Sequence, residues 1–570
     1  MSKMSQFVNQ AGAGAPFNKL AFLNRWNMAW LLLSAVSAVL YSYVASATAA
    51  TPWQLTIQDL LLPFVLFGAG YAVLLLIIHD KVQTDEPIQR LYPLVFWGRK
   101  TFLKIGPALR QYLFANDQEE TPYNRITRNW IYQTARGKRN TIGFGSQDDM
   151  DRVGAMIVLP ATFTNKSVKK GEDFGRAYKK IIGQHTGVEP VTLNHFVNIS
   201  AMSYGALSHR AHVALNIGAK KAGIFQNTGE GGLAPCHEQG GNLIFQMGTA
   251  KFGVRDDQGD LADALLRKVA AHPQVKMIEI KLAQGAKPGK GGMLLKEKIT
   301  EDIATIRKIP MGQDCYSPPR HKEFADVHGL FDFIDHVRAI AEMPVGIKMV
   351  IGHTEEIETI AKKMSEEPGR GPDYISVDGG DGGTGAAPLV LSAHAGLPMK
   401  PAIAVADWAL RRYGVRNKVI LFASGKIATP IDVAVAMALG ADATYIARGF
   451  MLSLGCVQAL ECHSNTCPTG IATMNKQAQK ALDIEASSER VSMYAQMLYK
   501  ETQMLAETCG YNSPDQITAH DIMVVTSPGH LDYLSELHGV SAYEASLERD
   551  EAKRIGISVG EMKIRERHTH

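Results

Sequence analysis

From about Val197 to Gly449 the chain alternates short apolar segments with helical stretches, and this alternation limits the folds open to it more than any other feature. Eight candidate strands can be read: VNISAM, GIFQNT, VKMIEIKL, QDCYSP, VGIKMV, DYISVDG, VILFASG and ATYIARG. Strands in series with helices between them predict a parallel sheet in an α/β fold. Eight such units over this span match the roughly 250 residues of a (β/α)8 TIM barrel. A doubly wound open sheet is the competing arrangement, but no dinucleotide fingerprint accompanies the units. QDCYSP is placed by spacing rather than by apolar content.

Each segment runs into polar or glycine residues at its carboxyl end, the face where a barrel carries its chemistry. In order these are Met202-Ser203-Tyr204-Gly205, Asn227-Thr228-Gly229-Glu230, Lys281 to Gln284, Ser317, Lys348, Asp378-Gly379-Gly380, Ser424-Gly425 and Arg448-Gly449. The glycines of VDGGDGGTG, ASGK and ARGF suggest a phosphate site after the last three strands, where unhindered backbone N–H groups can donate. There is no G-x-x-x-x-G-K-[ST], so a bound phosphate-bearing cofactor fits better than nucleotide hydrolysis. Flavin mononucleotide (FMN) is the natural candidate, with Lys281 or Lys348 available to stabilise negative charge on the reduced ring.

Composition supports a large ligand-binding body. Glycine is in excess, 52 of 570 residues, against a usual ~7%. The balance of 60 Lys+Arg to 56 Asp+Glu argues against nucleic acid as a partner. The average also conceals two charge-free stretches, residues 28–50 and 60–78, each long enough to cross a hydrocarbon core of about 30 Å. Basic residues before and after them, and an acid between, predict a transmembrane helical hairpin with both ends in the cytoplasm. The catalytic body then lies on the cytoplasmic side of an inner or plasma membrane. A cleaved signal peptide competes for the first stretch, although it is long for that and a second span follows. Core helices compete for both. FLKIGPALRQYLF reads as a helix broken at Pro107, suited either to a membrane surface or to packing on the main domain.

Cys456, Cys462 and Cys467 hold half of the six cysteines within twelve residues, in the spacing C-x5-C-x4-C. Three thiolates at such spacing suit an iron–sulfur cluster. Buried structural thiols and a zinc site completed by His463 remain the alternatives, although the close pairs usual for structural zinc are absent. Cys236, Cys315 and Cys509 are isolated and read as structural.

Four long motifs carry a resemblance: SAMSYGALSHRAHVALNIGAKKAGIFQNTGEGG, KLAQGAKPGKGG, YISVDGGDGGTGAAPL and GCVQALECHSNTCPTGIAT. They resemble, in order, the FMN and [3Fe-4S] synthase domain of glutamate synthase over roughly residues 190–510. The resemblance implies a barrel that reduces 2-iminoglutarate, formed from 2-oxoglutarate and ammonia, to L-glutamate. It places Ala201, Met202, Ser203, Asn227, Gln246, Lys281 and Lys348 around the flavin. Gly379, Gly380, Gly383, Gly425 and Gly449 fall at its phosphate end. Ser203, Gly205, Glu230, Lys281, Gln284, Lys287 and Arg307 line the oxoacid and ammonia side, with Glu230, Lys281 and Gln284 as catalytic groups. The three clustered cysteines match the family's [3Fe-4S] ligands.

The chain departs from a complete glutamate synthase in showing no glutaminase nucleophile, no NAD(P)H motif and no β-helical domain. Ammonia is therefore expected from outside, free or glutamine-derived through another protein. Electrons are expected from ferredoxin, a separate NAD(P)H-oxidising flavoprotein or a membrane donor. Lys290 stands where the family's AQGAKPGEGG stretch has an acid. An N-methylglutamate synthase using methylamine and glutamate, and a membrane-anchored electron-transfer or sensory flavoprotein, are competing readings; self-association is left open. The expected organisation is a tail at 1–27, spans at 28–50 and 60–78, a lead-in at 79–190, the barrel at 191–455, the cluster loop at 456–475, and C-terminal helices and tail at 476–570.

Overall fold

The computed structural model describes residues 57–83, 86–93, 95–138, 141–146, 148–163 and 178–554. The chain divides into two compact units, residues 1–120 and 121–570. In the first, the apolar run 60–78 lies within the helix Ile57–Val82, whereas the run 28–50 falls outside the described residues. The second expected membrane helix is not borne out: among the described residues no helix is long and apolar enough to cross a membrane. Pro107 does not break its helix as expected. The helix Val95–Leu109 runs through it and continues as a π turn, Arg110–Phe114. Proline removes one helical N–H donor, and a local shift in bonding register can absorb that loss.

The second unit is built on a closed barrel of eight parallel strands. In chain order they are β1 Val197–Ile199, β2 Gln226–Asn227, β3 Leu243–Met247, β4 Val275–Lys281, β5 Val345–Met349, β6 Tyr374–Asp378, β7 Ile420–Ser424 and β8 Ala443–Ile446. Each pairs with its sequence neighbours, and β8 closes on β1 through Thr444 opposite Val197. One correction concerns membership. QDCYSP is not a barrel strand: Cys315–Tyr316 pairs antiparallel with Met293–Leu294 outside the barrel. The place belongs to β3, whose five residues are all buried. A parallel strand is covered on both faces and needs a continuous apolar run, which LIFQM supplies and QDCYSP does not.

Period-two alternation sorts the strand residues into layers inside the barrel. Tyr374 and Phe422 meet edge to face at 5.5 Å, and Phe422 stacks on Tyr445 at 4.5 Å. Gly346, beside the Tyr374 ring, leaves the room that ring occupies. Towards the carboxyl ends the same faces turn polar. Lys281 stands opposite Lys348, Gln246 opposite Glu279, and Asp378 opposite Ser424.

Elements outside the barrel fix its flank. The helix His209–Ala222 starts on Ser208, whose hydroxyl accepts from the Ala211 N–H, and ends at Gly223 in the left-handed conformation, both favoured cap arrangements. It packs closely on the long helix Ile484–Thr508. The C-terminal region also holds two strands, Ile522–Ser527 and His530–Tyr533, which join Met156–Val158 in an antiparallel sheet. This links the lead-in to the C-terminus, where helices alone were expected.

A Cβ at Gly218 would lie 2.5 Å from the Val491 side chain and 2.8 Å from the Ser488 carbonyl oxygen. Gly218→Ala therefore forces the two helices apart. It should destabilise the protein by about 1–3 kcal/mol, as overpacking does, read as a lowered thermal midpoint. An unchanged midpoint would contradict this packing.

Candidate active site

A cavity of about 380 Å³ opens at the carboxyl ends of the barrel strands, within the range of small-molecule sites. Its lining includes Ala201, Met202, Ser203, Glu230, Gln246, Lys281, Gln284, Lys287, Arg307, Lys348, Gly383 and all three clustered cysteines. The sequence residues brought together thus come from six strand ends, from the helix Glu301–Arg307 between β4 and β5, and from the loop after β8.

One side of the cavity is a buried charge cluster. Lys281 Nζ donates to Glu230 Oε1 at 2.7 Å and to Gln284 Oε1 at 3.3 Å. Gln284 in turn donates to the Gly383 carbonyl oxygen at 3.2 Å, and Lys287 Nζ to that of Ala386 at 3.1 Å. The loop after β4 is thereby tied to the loop after β6. Burial opposes ionisation of Glu230, but Lys281, Lys287 and Arg307 outweigh it and hold the carboxyl down at about 2. Burial, reinforced by neighbouring Lys281 and opposed by Glu230, lowers Lys287 to about 8. The carboxylate sits in a slot that only glycine permits: a Cβ at Gly248 would lie 2.5 Å from Glu230 Oε2. Arg307 donates to the Tyr204 carbonyl oxygen at 2.8 Å and lies over the Phe252 ring at 5.1 Å.

Beneath this lies a residue that the sequence analysis passed over. Glu279 is fully buried, and its Oε1 accepts from Asn227 Nδ2 at 2.8 Å and Gln246 Nε2 at 2.6 Å. Burial raises its pKa, against the nearby Lys348 cation. Gln246, which lines the cavity, is thus anchored by one of its two amide N–H bonds. Asn227 itself does not line the cavity; it supports Gln246 through the shared carboxylate and accepts from the Gly229 N–H at 3.0 Å. The legible signal was an acid on the inward face of VKMIEIKL.

Several predicted glycines stand apart from the lining. Gly379 donates its N–H to the Ser424 carbonyl oxygen at 2.7 Å, and Gly380 to that of Leu397 at 2.7 Å. Those donors are spent within the protein. A Cβ at Gly425 would press on Asp381, and one at Gly449 on the Tyr494 hydroxyl, so both serve close packing. Gly205 turns the chain past Arg307 with a φ of 103°. The cation on this side is Arg448, which lines the cavity and donates to the Asp381 carbonyl oxygen at 2.9 Å. Pro122 and Tyr123, far upstream of the barrel, line it too.

The opposite wall is the cysteine loop. All three thiols are unpaired. Among the described residues, no three His, Cys, Asp or Glu side chains converge as ligands of one metal ion do, so the zinc arrangement with His463 gains no support. Cluster thiolates bind separate irons and need not converge on a point. At Cys467 burial is outweighed by hydrogen bonds from Thr469 and from backbone N–H groups, which lower its pKa, whereas burial pushes Cys456 up to about 11 and raises Cys462 as well. Lys298 is buried beside the loop, donating to the Cys462 carbonyl oxygen at 3.0 Å and that of Ala206 at 2.8 Å. The donor set fits a thiolate-held cluster.

Residues 159–512 match the family described as the conserved region in glutamate synthase. The chain belongs to the glutamate synthase family. The glutamate synthase large subunit-like protein YerD of Bacillus subtilis is 37% identical over 84% of this chain and 96% of its own length. The archaeal glutamate synthase [NADPH] of Methanocaldococcus jannaschii is 37% identical over 56% of this chain and 60% of its own. The chain thus spans nearly all of the first relative and well under two thirds of the second. Among solved structures, mandelate oxidase with benzoyl-formic acid superposes with a TM-score of 0.39 at 16% identity, over 66% of this chain and 86% of that one. All the site residues predicted from sequence fall inside the glutamate synthase region; Pro122 and Tyr123 do not.

With Lys287 lowered to about 8, its charge is lost as pH rises through that value. Affinity for a dicarboxylate such as glutarate should therefore fall between about pH 7 and 9, measured by calorimetry. Lys287→Met should flatten this dependence. A dependence of equal steepness in the variant would assign the titration to another group.

Proposed function

We propose that this protein is an FMN-dependent oxidoreductase that aminates 2-oxoglutarate reductively, through 2-iminoglutarate, to L-glutamate. Externally supplied ammonia and a separate electron donor complete the reaction. The observation that carries the reading is a single cavity with a cationic, carboxylate-balanced rim on one side and three unpaired cysteines on the other. When bound, FMN would supply hydride chemistry and a [3Fe-4S] cluster single-electron transfer.

The protein's own residues then have separable tasks. Lys287 and Arg307 attract the two carboxylates of the oxoacid. Lys281 Nζ, 2.7 Å from Glu230 Oε1, is placed to donate to a developing amine. The ionised Glu230 orients that Nζ and offers a negative site for ammonium. Gln246 presents its side-chain amide, Arg448 a guanidinium for phosphate, and Ser203 a hydroxyl at the β1 end. Cys456, Cys462 and Cys467 would hold the cluster. Electron donors of the expected chemistry are ferredoxin or an NAD(P)H-oxidising flavoprotein. Attachment to the cytoplasmic face of a membrane rests on the charge-free stretch 28–50 and the basic residues that flank it; carbonate extraction of membranes tests it.

The reduced, purified protein should form L-glutamate from 2-oxoglutarate and ammonium. Exclusive formation of N-methylglutamate from methylamine and glutamate would assign it the other synthase chemistry, and no turnover with either would refute a synthase. Cys462→Ser should remove the cluster's electron paramagnetic resonance signal and donor-dependent flavin reduction while FMN stays bound. Retention of the signal would exclude Cys462 as a ligand.

A further inference from the structure

The segment Thr121–Ala135 lies more than sixty residues before the barrel and outside the matched region 159–512, yet it reaches the cavity. It enters as Pro122 and Tyr123 and continues as the helix Arg125–Ala135, capped by the Asn124 side chain on the Thr127 N–H. That helix is docked by Trp130, whose Nε1 donates to Glu501 at 3.1 Å on the long C-terminal helix.

We infer that this segment is a strap that completes the cofactor cavity, with Tyr123 holding Arg448 in place and Gln458 fastening the cysteine loop. Two contacts carry the inference. The Arg448 guanidinium carbon lies 5.2 Å from the centre of the Tyr123 ring, close enough for a cation–π contact. Arg448 also donates to the Asp381 carbonyl oxygen. The ring thus sets where this cavity cation points.

The second contact is a two-way clasp. Tyr123 N donates to Gln458 Oε1 at 3.2 Å, and Gln458 Nε2 donates back to the Tyr123 carbonyl oxygen at 3.0 Å. Arg128 donates to the same carbonyl at 2.9 Å, and Tyr132 Oη donates to the Cys456 carbonyl oxygen at 2.6 Å. Gln458 has a φ of 55°, a left-handed conformation that costs a non-glycine residue energy. The amide pair offsets that cost. In this position the Gln458 N–H points at Cys456 Sγ, 3.4 Å away, where it would stabilise a thiolate ligand.

The proposal rests on the cavity holding FMN, and its test separates the two ideas. FMN affinity is measured by fluorescence quenching in wild type, Tyr123→Leu and Tyr123→Phe. Cluster lifetime in air is measured by paramagnetic resonance in wild type and Gln458→Ala. Tyr123→Leu keeps apolar bulk but loses the ring, so its FMN dissociation constant should rise about five- to tenfold. Tyr123→Phe should stay within about twofold of wild type, since the ring face is retained. Gln458→Ala should shorten cluster lifetime several-fold and weaken FMN binding less than Tyr123→Leu does, an ordering that general loosening of the fold would not give. Wild-type affinity in Tyr123→Leu together with a wild-type cluster lifetime in Gln458→Ala would overturn the strap. Failure of the wild type to bind FMN would instead refute the reading of the cavity and with it the Tyr123 arm, leaving the Gln458 arm to decide the clasp.

Discussion

Lys281 and Lys348 stand directly opposite one another near the carboxyl ends of adjacent barrel strands, and the rest of the site depends on how two lysines are kept inside the same wall. Each has an acid of its own. Glu230 lies 2.7 Å from Lys281, and Asp378 lies 3.6 Å from Lys348. An unpaired charge in a buried place costs several kcal/mol, so the loop after β2 and the last residue of β6 must bring these acids in. Room for the Glu230 carboxylate is left by glycines on neighbouring loops: a Cβ at Gly248 or Gly292 would lie 2.5 or 2.8 Å from it.

Glu279 extends the same requirement downward. Its carboxylate beside Lys348 is tolerated at full burial because two amides donate to it. In return it orients both amides, each of which spends an N–H on its Oε1.

The sequence showed the barrel where strands were long and apolar, and failed where local content and tertiary burial diverged. VGIKMV, DYISVDG and VILFASG are legible because both faces of a parallel strand are covered. QDCYSP borrowed its place from spacing, and LIFQM, though apolar, is not among the eight candidate segments. The rim residues were legible because polar groups interrupt apolar runs at a fixed position. Arg448 stood in that pattern but was outweighed by the glycine after it. Glycine was over-read as an anion donor: Gly379 and Gly380 spend their N–H groups on Ser424 and Leu397, and a glycine in sequence does not say where its N–H goes.

Tyr123 was illegible for a different reason. Nothing in TPYNRITRNW marks it as part of a cavity assembled three hundred residues later, because its task is defined by partners, Arg448 and Gln458, that only the closed fold supplies. A cluster loop following the last barrel strand has covalent support at its two ends alone. Its middle, with left-handed residues at Gln458, Leu460 and Asn465, needs fastening from outside the barrel. Asn465 is fastened from within the unit by Thr473 and Met474. Gln458 has the strap. A segment that pins one end of the cysteine loop and orients a cavity cation makes the two walls of the cavity mechanically dependent, so that disturbing either is felt at both.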